Sequence, residues 1–190
     1  MNYTDYQKSR NAAWQLLIDL KIKELPIKIT DLCRKIGIDV KLAPLDSESD
    51  GFSLMHENQP VIILNSNCKN AARLRFTVAH ELGHILLGHV GKYELVSREP
   101  SPTDNNIEHE ANVFASRLLA PACVLWACNV KCAADIAKLC DISNAAAEFR
   151  MKRMNELYKR NKFLISPLER KVYRNFKGFI KKQLNFTCNS

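Results

Sequence analysis

"RFTVAHELGHILLGH", Arg75 to His89, holds three of the five histidines of this 190-residue chain. Its apolar residues Phe76, Val78, Ala79, Leu82, Ile85, Leu86 and Leu87 predict a largely buried helix over 71–87, stopped by Gly88 with Gly91. A helix turns once in about 3.6 residues, so His80 and His84 project from one face and their imidazoles can converge on one ion. Glu81 follows the first histidine, where its carboxylate can lean over an open coordination position and take a proton from water. Histidine, glutamate and histidine in this order form the zinc-hydrolase arrangement. Buried without a partner, such a cluster would be costly, and a metal offsets that cost.

The third ligand must come from elsewhere. One zinc-protease signature adds a glycine and a third histidine downstream, but Gly88 and His89 each stand one place off that pattern. His89 is five residues past His84, about 140° further round a helix, and is expected to point away, near the negative end of the helix dipole. The remaining candidates, Glu108, His109 and Glu110, lie in "IEHEANVFA". That segment reads as a second helix with Ile107, Ala111, Phe114, Ala115 and Leu118 on one stripe. Glu108 and Asn112 share a face, which lets the amide orient a ligand as an outer partner. Glu110 lies about 200° round from Glu108, so only one of the two can face the metal. Glu108 is favoured, with Glu110 as the rival.

Upstream, Trp14, Leu17 and Ile18 mark a helix that ends before Pro26. A short helix from Thr30 should bury Leu32, Cys33 and Ile36 and stop at Gly37. In "IDVKLAP" the residues Ile38, Val40 and Leu42 alternate as in a half-buried strand, and "GFSLMH" and "VIILN" read as two more, the last buried on both faces. "LDSESDG" is a polar loop, and "SREPSPTDNN" a polar connection before the second helix. The expected fold is α+β. A small sheet and the His-Glu-His helix occupy residues 1–130, helices shaped like a helix-turn-helix fill 131–158, and 159–190 form a basic tail.

Composition narrows the class. With 46% hydrophobic residues the chain can bury a core. Its first residues show no secretory signal, and no apolar run is long enough to span a membrane, so a soluble cytoplasmic protein is expected. Seven cysteines form no C-x-x-C pair; Cys123, Cys128 and Cys132 could line one helix face, yet reduced core cysteines explain them better than a second metal site. The net charge of +8 is uneven: from Arg150 onward twelve Lys and Arg face only Glu156 and Glu169.

"RFTVAHELGHILLGH" followed about twenty residues later by "EHEANVFASRLLAP" resembles the ImmA/IrrE family of metallopeptidases. The resemblance covers roughly residues 10 to 155 and departs at Ala120, where Met is frequent in the family. It implies a zincin-like domain with His80 and His84 as ligands, Glu81 as general base, Glu108 as third ligand and Zn2+ as the ion. It also implies a protein substrate, typically a helix-turn-helix repressor of a mobile element, phage or stress operon, or an antitoxin-like regulator. Manganese or iron can occupy similar ligands.

Two other roles compete. "AADIAKLCDISNAAAEFRMKRMNEL", with Ser143 as an N-cap, could read DNA with Arg150, Lys152 and Arg153 at phosphates. DNA contact through residues 141–182 is not favoured, since the first turn of the second helix is alanine-rich and offers few base-reading side chains. Alternatively the chain binds a repressor without cutting it, with a non-catalytic zinc site. The basic tail interleaves aromatics and charge; an amphipathic helix packing Val172, Phe176, Phe179 and Ile180 on the domain explains it as well as a nucleic-acid surface, and better than a membrane surface.

Overall fold

The computed structural model describes residues 2–46, 49–90 and 102–187. The fold is α+β, mostly helical, and the described residues hold one small three-stranded sheet. The described residues fall into two compact units, one within residues 1–13 and 28–115, the other within 14–27 and 116–190.

Helix α1 (Tyr3–Asp19) begins well before the apolar residues that betray it, of which Trp14 and Leu17 are buried. In the first unit, α2 (Ile29–Lys35) buries Ile29, Leu32 and Cys33, while Ile36 is only half-buried as its C-cap. Gly37, at φ +76°, takes the left-handed conformation that turns the chain into β1 (Asp39–Ala43). Strands β2 (Gly51–His56) and β3 (Gln59–Asn65) make a hairpin whose turn residues, Glu57 and Asn58, have φ of 49° and 62°. Positive φ at both positions gives a turn whose twist matches that of paired strands. β3 lies between β1, which runs parallel to it, and β2, which runs antiparallel. Its central place accounts for the apolar run, with Val61, Ile62 and Leu64 buried.

The expected buried face of β1 is only partly realised. Ile38 is buried and Val40 half-buried, but Leu42 is 67% exposed. Among the described residues β1 is an edge strand, and Leu42 near its end is left to solvent.

Helix α3 (Ala71–Leu87) packs on β2 and β3 and buries Val78, Ala79 and Leu82 among others. Asn70 caps it, its side chain accepting from the Arg73 N–H at 3.0 Å. At the other end Gly88 is left-handed, and the His89 N–H donates back to the His84 carbonyl at 2.9 Å. This bond, closing six residues on themselves, ends the helix and reverses the chain. Helix α4 (Pro102–Leu119) starts earlier than expected, so residues 102–106 of the anticipated connection are helical, while 97–101 and Gly91 lie outside the described residues.

Helices α3 and α4 meet at Gly83. A Cβ there would stand 3.1 Å from Phe114 Cδ1, 3.2 Å from Ala111 Cα and 3.3 Å from the Ala111 carbonyl oxygen. The two backbones therefore approach as closely as a missing side chain permits. Gly83→Leu should destabilise the protein by about 1–3 kcal/mol, as overpacking does, read as a lower denaturant midpoint at unchanged slope.

In the second unit α5 (Ala122–Ala127) follows Pro121, and α6 (Ala133–Cys140) packs against α7 (Asn144–Lys159). Ser143 caps α7, accepting from the Ala146 N–H at 3.2 Å. The basic tail is folded for most of its length as α8 (Pro167–Asn175) and α9 (Lys177–Thr187), with Val172, Phe176 and Ile180 buried and Phe179 half-buried. Its aromatics serve packing too: Phe163 stacks on Trp126, with ring centroids 5.2 Å apart, and leans on Tyr158. The Tyr158 hydroxyl donates to the Val130 carbonyl at 2.8 Å. No helix among the described residues is long and apolar enough to cross a membrane.

Candidate metal centre

His80 and His84 point the same way from α3, and their Nε2 atoms stand 3.0 Å apart. Opposite them α4 presents Glu108, with Oε2 at 3.0 Å from His80 Nε2 and Oε1 at 3.2 Å from His84 Nε2. One ligand atom from each of the three lies within 4.8 Å of the others, the one such group of histidine, cysteine and carboxylate side chains among the described residues. The donor chemistry fits a divalent cation. Two imidazole nitrogens this close cannot both carry protons toward each other, whereas one cation satisfies both and the carboxylate. Tetrahedral zinc with bonds of about 2.0–2.1 Å spaces its ligand atoms by roughly 3.3 Å, close to the separations here.

The electrostatics follow from this crowding. Hydrogen bonds from His80 and His84 hold the Glu108 carboxyl far below the usual carboxylate range, against the opposing effect of burial. Burial works against charge on His80, but Glu108, Glu81 and Asn112 together outweigh it and raise its pKa.

Each candidate imidazole ligand has a partner behind it. His80 Nδ1 lies 3.1 Å from Asn112 Oδ1, one turn beyond Glu108 on α4. His84 Nδ1 lies 3.1 Å from His89 Nδ1. The second contact corrects the expectation that His89 points away. A helical-wheel angle applies only while the helix continues; α3 ends at Leu87, and the left-handed Gly88 swings the next residue back, so His89 is buried beside His84. Burial, then the neighbouring His84 and Lys8, push the His89 pKa down to about 4.

Glu110 turns to the other flank, its Oε2 3.5 Å from His89 Nε2. Burial raises the Glu110 pKa, and Lys8 partly opposes this. His109 is exposed. Glu81, beside His80, accepts a hydrogen bond from the Ser53 hydroxyl of β2 at 2.7 Å. Sequence spacing could not reveal Ser53, because the contact joins a strand to a helix across the sheet face. His89 could have been found: the glycine that predicts the helix stop also removes the next residue from the wheel.

Other candidates fare differently. Cys123 lies in α5, whereas Cys128 is its C-cap and Cys132 precedes α6, so the three do not line one helix. Burial raises the thiol pKa of Cys123, and that of Cys128 to about 11, which keeps both protonated. Cys188 lies outside the described residues. Arg150, which the unfavoured DNA-reading alternative would place at a phosphate, is 1% exposed, with Nε donating to the Ala120 carbonyl at 2.8 Å. A side chain that DNA reading would need at the surface thus lies on the buried face of α7. Arg150→Ala should destabilise by about 2–5 kcal/mol, the range for emptying a large core site, measured by thermal or denaturant unfolding.

Residues 33–159 match the model of a peptidase family described as the IrrE N-terminal-like domain. The radiation response metalloprotease IrrE of Deinococcus radiodurans is 30% identical over 126 residues, which cover 60% of this chain and 37% of that protein. The match thus spans well under half of the relative's length.

Proposed function

The chain belongs to the IrrE N-terminal-like peptidase family, and from that premise we propose that it is a zinc-dependent endopeptidase acting on a partner regulatory protein, a helix-turn-helix repressor of a mobile element, phage or stress operon. The observation that carries this is the convergence of His80, His84 and Glu108 beside a separately held Glu81. His80, His84 and Glu108 would hold the ion, which when bound supplies a Lewis acid for the scissile carbonyl and an acidified water. Glu81 takes the proton from the attacking water and returns it to the amide nitrogen as the peptide bond breaks. Ser53 donates to one Glu81 oxygen and so fixes the carboxylate's orientation. Asn112 holds the His80 ring, accepting from its Nδ1–H and leaving Nε2 free to bind the ion.

A binder that does not cut, whether of repressor or of DNA, has no need of a base at this place. The test is a survey of new protein N-termini in a lysate of the source cells treated with the zinc-loaded chain or with its Glu81→Gln variant. A small set of termini produced only by the wild type supports the peptidase and identifies its substrate. Identical sets refute it.

A further inference from the structure

Behind the candidate ligands lies a second layer that the proposed chemistry does not use, His89 and Glu110. Resting on His80, His84 and Glu108 as metal ligands, we infer that His89 and Glu110 form an outer-sphere relay that locks His84 in the tautomer a cation requires and thereby sets metal affinity. Glu110, the sequence's rival for third ligand, is thus a positioning residue.

Proton placement gives the relay its direction. His84 Nε2 faces His80 Nε2 and Glu108 Oε1, at 3.0 and 3.2 Å, and must offer a lone pair to bind an ion. Its proton then sits on Nδ1. That atom is 3.1 Å from His89 Nδ1, and two nitrogens so placed share one proton, with His84 donating and His89 accepting. His89 in turn carries its proton on Nε2, which faces Glu110 Oε2 at 3.5 Å. Every step follows from the one before. The second distance is long for a hydrogen bond, so the histidine-to-histidine step is the stronger link.

The surroundings keep water from taking over either role. The side chains of His84, His89 and Glu110 are 7%, 8% and 13% exposed. The backbone fixes the geometry: the bond from the His89 N–H to the His84 carbonyl at 2.9 Å ties the two residues together through the helix cap. Among the charged groups acting on Glu110 are Lys8 and Asp5 of α1. The His80 ring has its counterpart in Asn112, so both candidate imidazole ligands are oriented through Nδ1.

The test is Zn2+ affinity, measured by chelator competition, for wild type, His89→Asn, His89→Leu and Glu110→Leu. Asparagine places an amide oxygen near the position of Nδ1, while leucine comes closer to histidine in volume but accepts nothing. His89→Leu should weaken zinc binding by about 10–100-fold, the usual effect of losing such a partner. His89→Asn should stay near wild type, and Glu110→Leu should fall between. A packing role predicts the reverse order, leucine tolerated and asparagine not, and that order, or equal affinity throughout, overturns the relay. Wild type that binds no zinc would overturn the ligand assignment itself, and the relay with it. Should the leucine variant not fold, long-range proton–nitrogen NMR of zinc-loaded wild type decides: His84 protonated at Nδ1 and His89 at Nε2 is expected, and His89 protonated at Nδ1 refutes the proposal.

Discussion

Glu108→Ala is expected to leave the protein folded and without metal. Zinc binding in small structural sites is worth on the order of 10–16 kcal/mol shared among its ligands, so losing one costs roughly 3–4 kcal/mol, a hundredfold or more in affinity. The effect should exceed that of any outer residue, because Glu108 meets both imidazoles. Elemental analysis should find one zinc per chain in wild type and none in this variant. Glu110→Ala, which trims a group facing His89, should retain the ion under the same conditions. Zinc kept by Glu108→Ala and lost by Glu110→Ala would reverse the assignment.

Glu81→Gln should separate binding from chemistry. The amide keeps the shape of the carboxylate, and its oxygen can still accept from the Ser53 hydroxyl, so zinc content should match wild type. Losing a proton acceptor at the reacting water typically costs about 10²–10⁴ in rate. Single-turnover cleavage of the substrate identified by its new N-terminus should therefore slow at least a hundredfold. Cleavage at the wild-type rate would remove Glu81 from the chemistry and return weight to a binding role for the whole centre.

Much of the fold was legible because hydrophobic spacing records local geometry. The helix over 71–87, the buried strand in "VIILN" and the stripe from Ile107 to Leu118 are each patterns within one element. What could not be read was set by neighbours distant in the chain. Leu42 is exposed although it alternates with Ile38 and Val40; among the described residues β1 is an edge strand, and nothing in "IDVKLAP" says which strand will be central. Arg150 is buried although it opens the most basic part of the sequence. At the candidate centre, the helical period alone aligned His80 with His84 and placed Glu108 and Asn112 on one face. Ser53 needed the packing of α3 on β2, and His89 needed the chain reversal at Gly88.

The close contact at Gly83 reaches further than stability. His80 and His84 come from one helix and Glu108 from the other, so the spacing of the two axes determines how far the carboxylate stands from the imidazoles. Zinc holds its ligands at about 2.0–2.2 Å, whereas calcium needs about 2.3–2.6 Å. With His80, His84 and Glu108 as the proposed ligands, discrimination by ionic radius would therefore be controlled in part by a residue that supplies no ligand. Redesigning this centre for a larger ion would begin at position 83, with a small side chain acting as a spacer, before any ligand was exchanged.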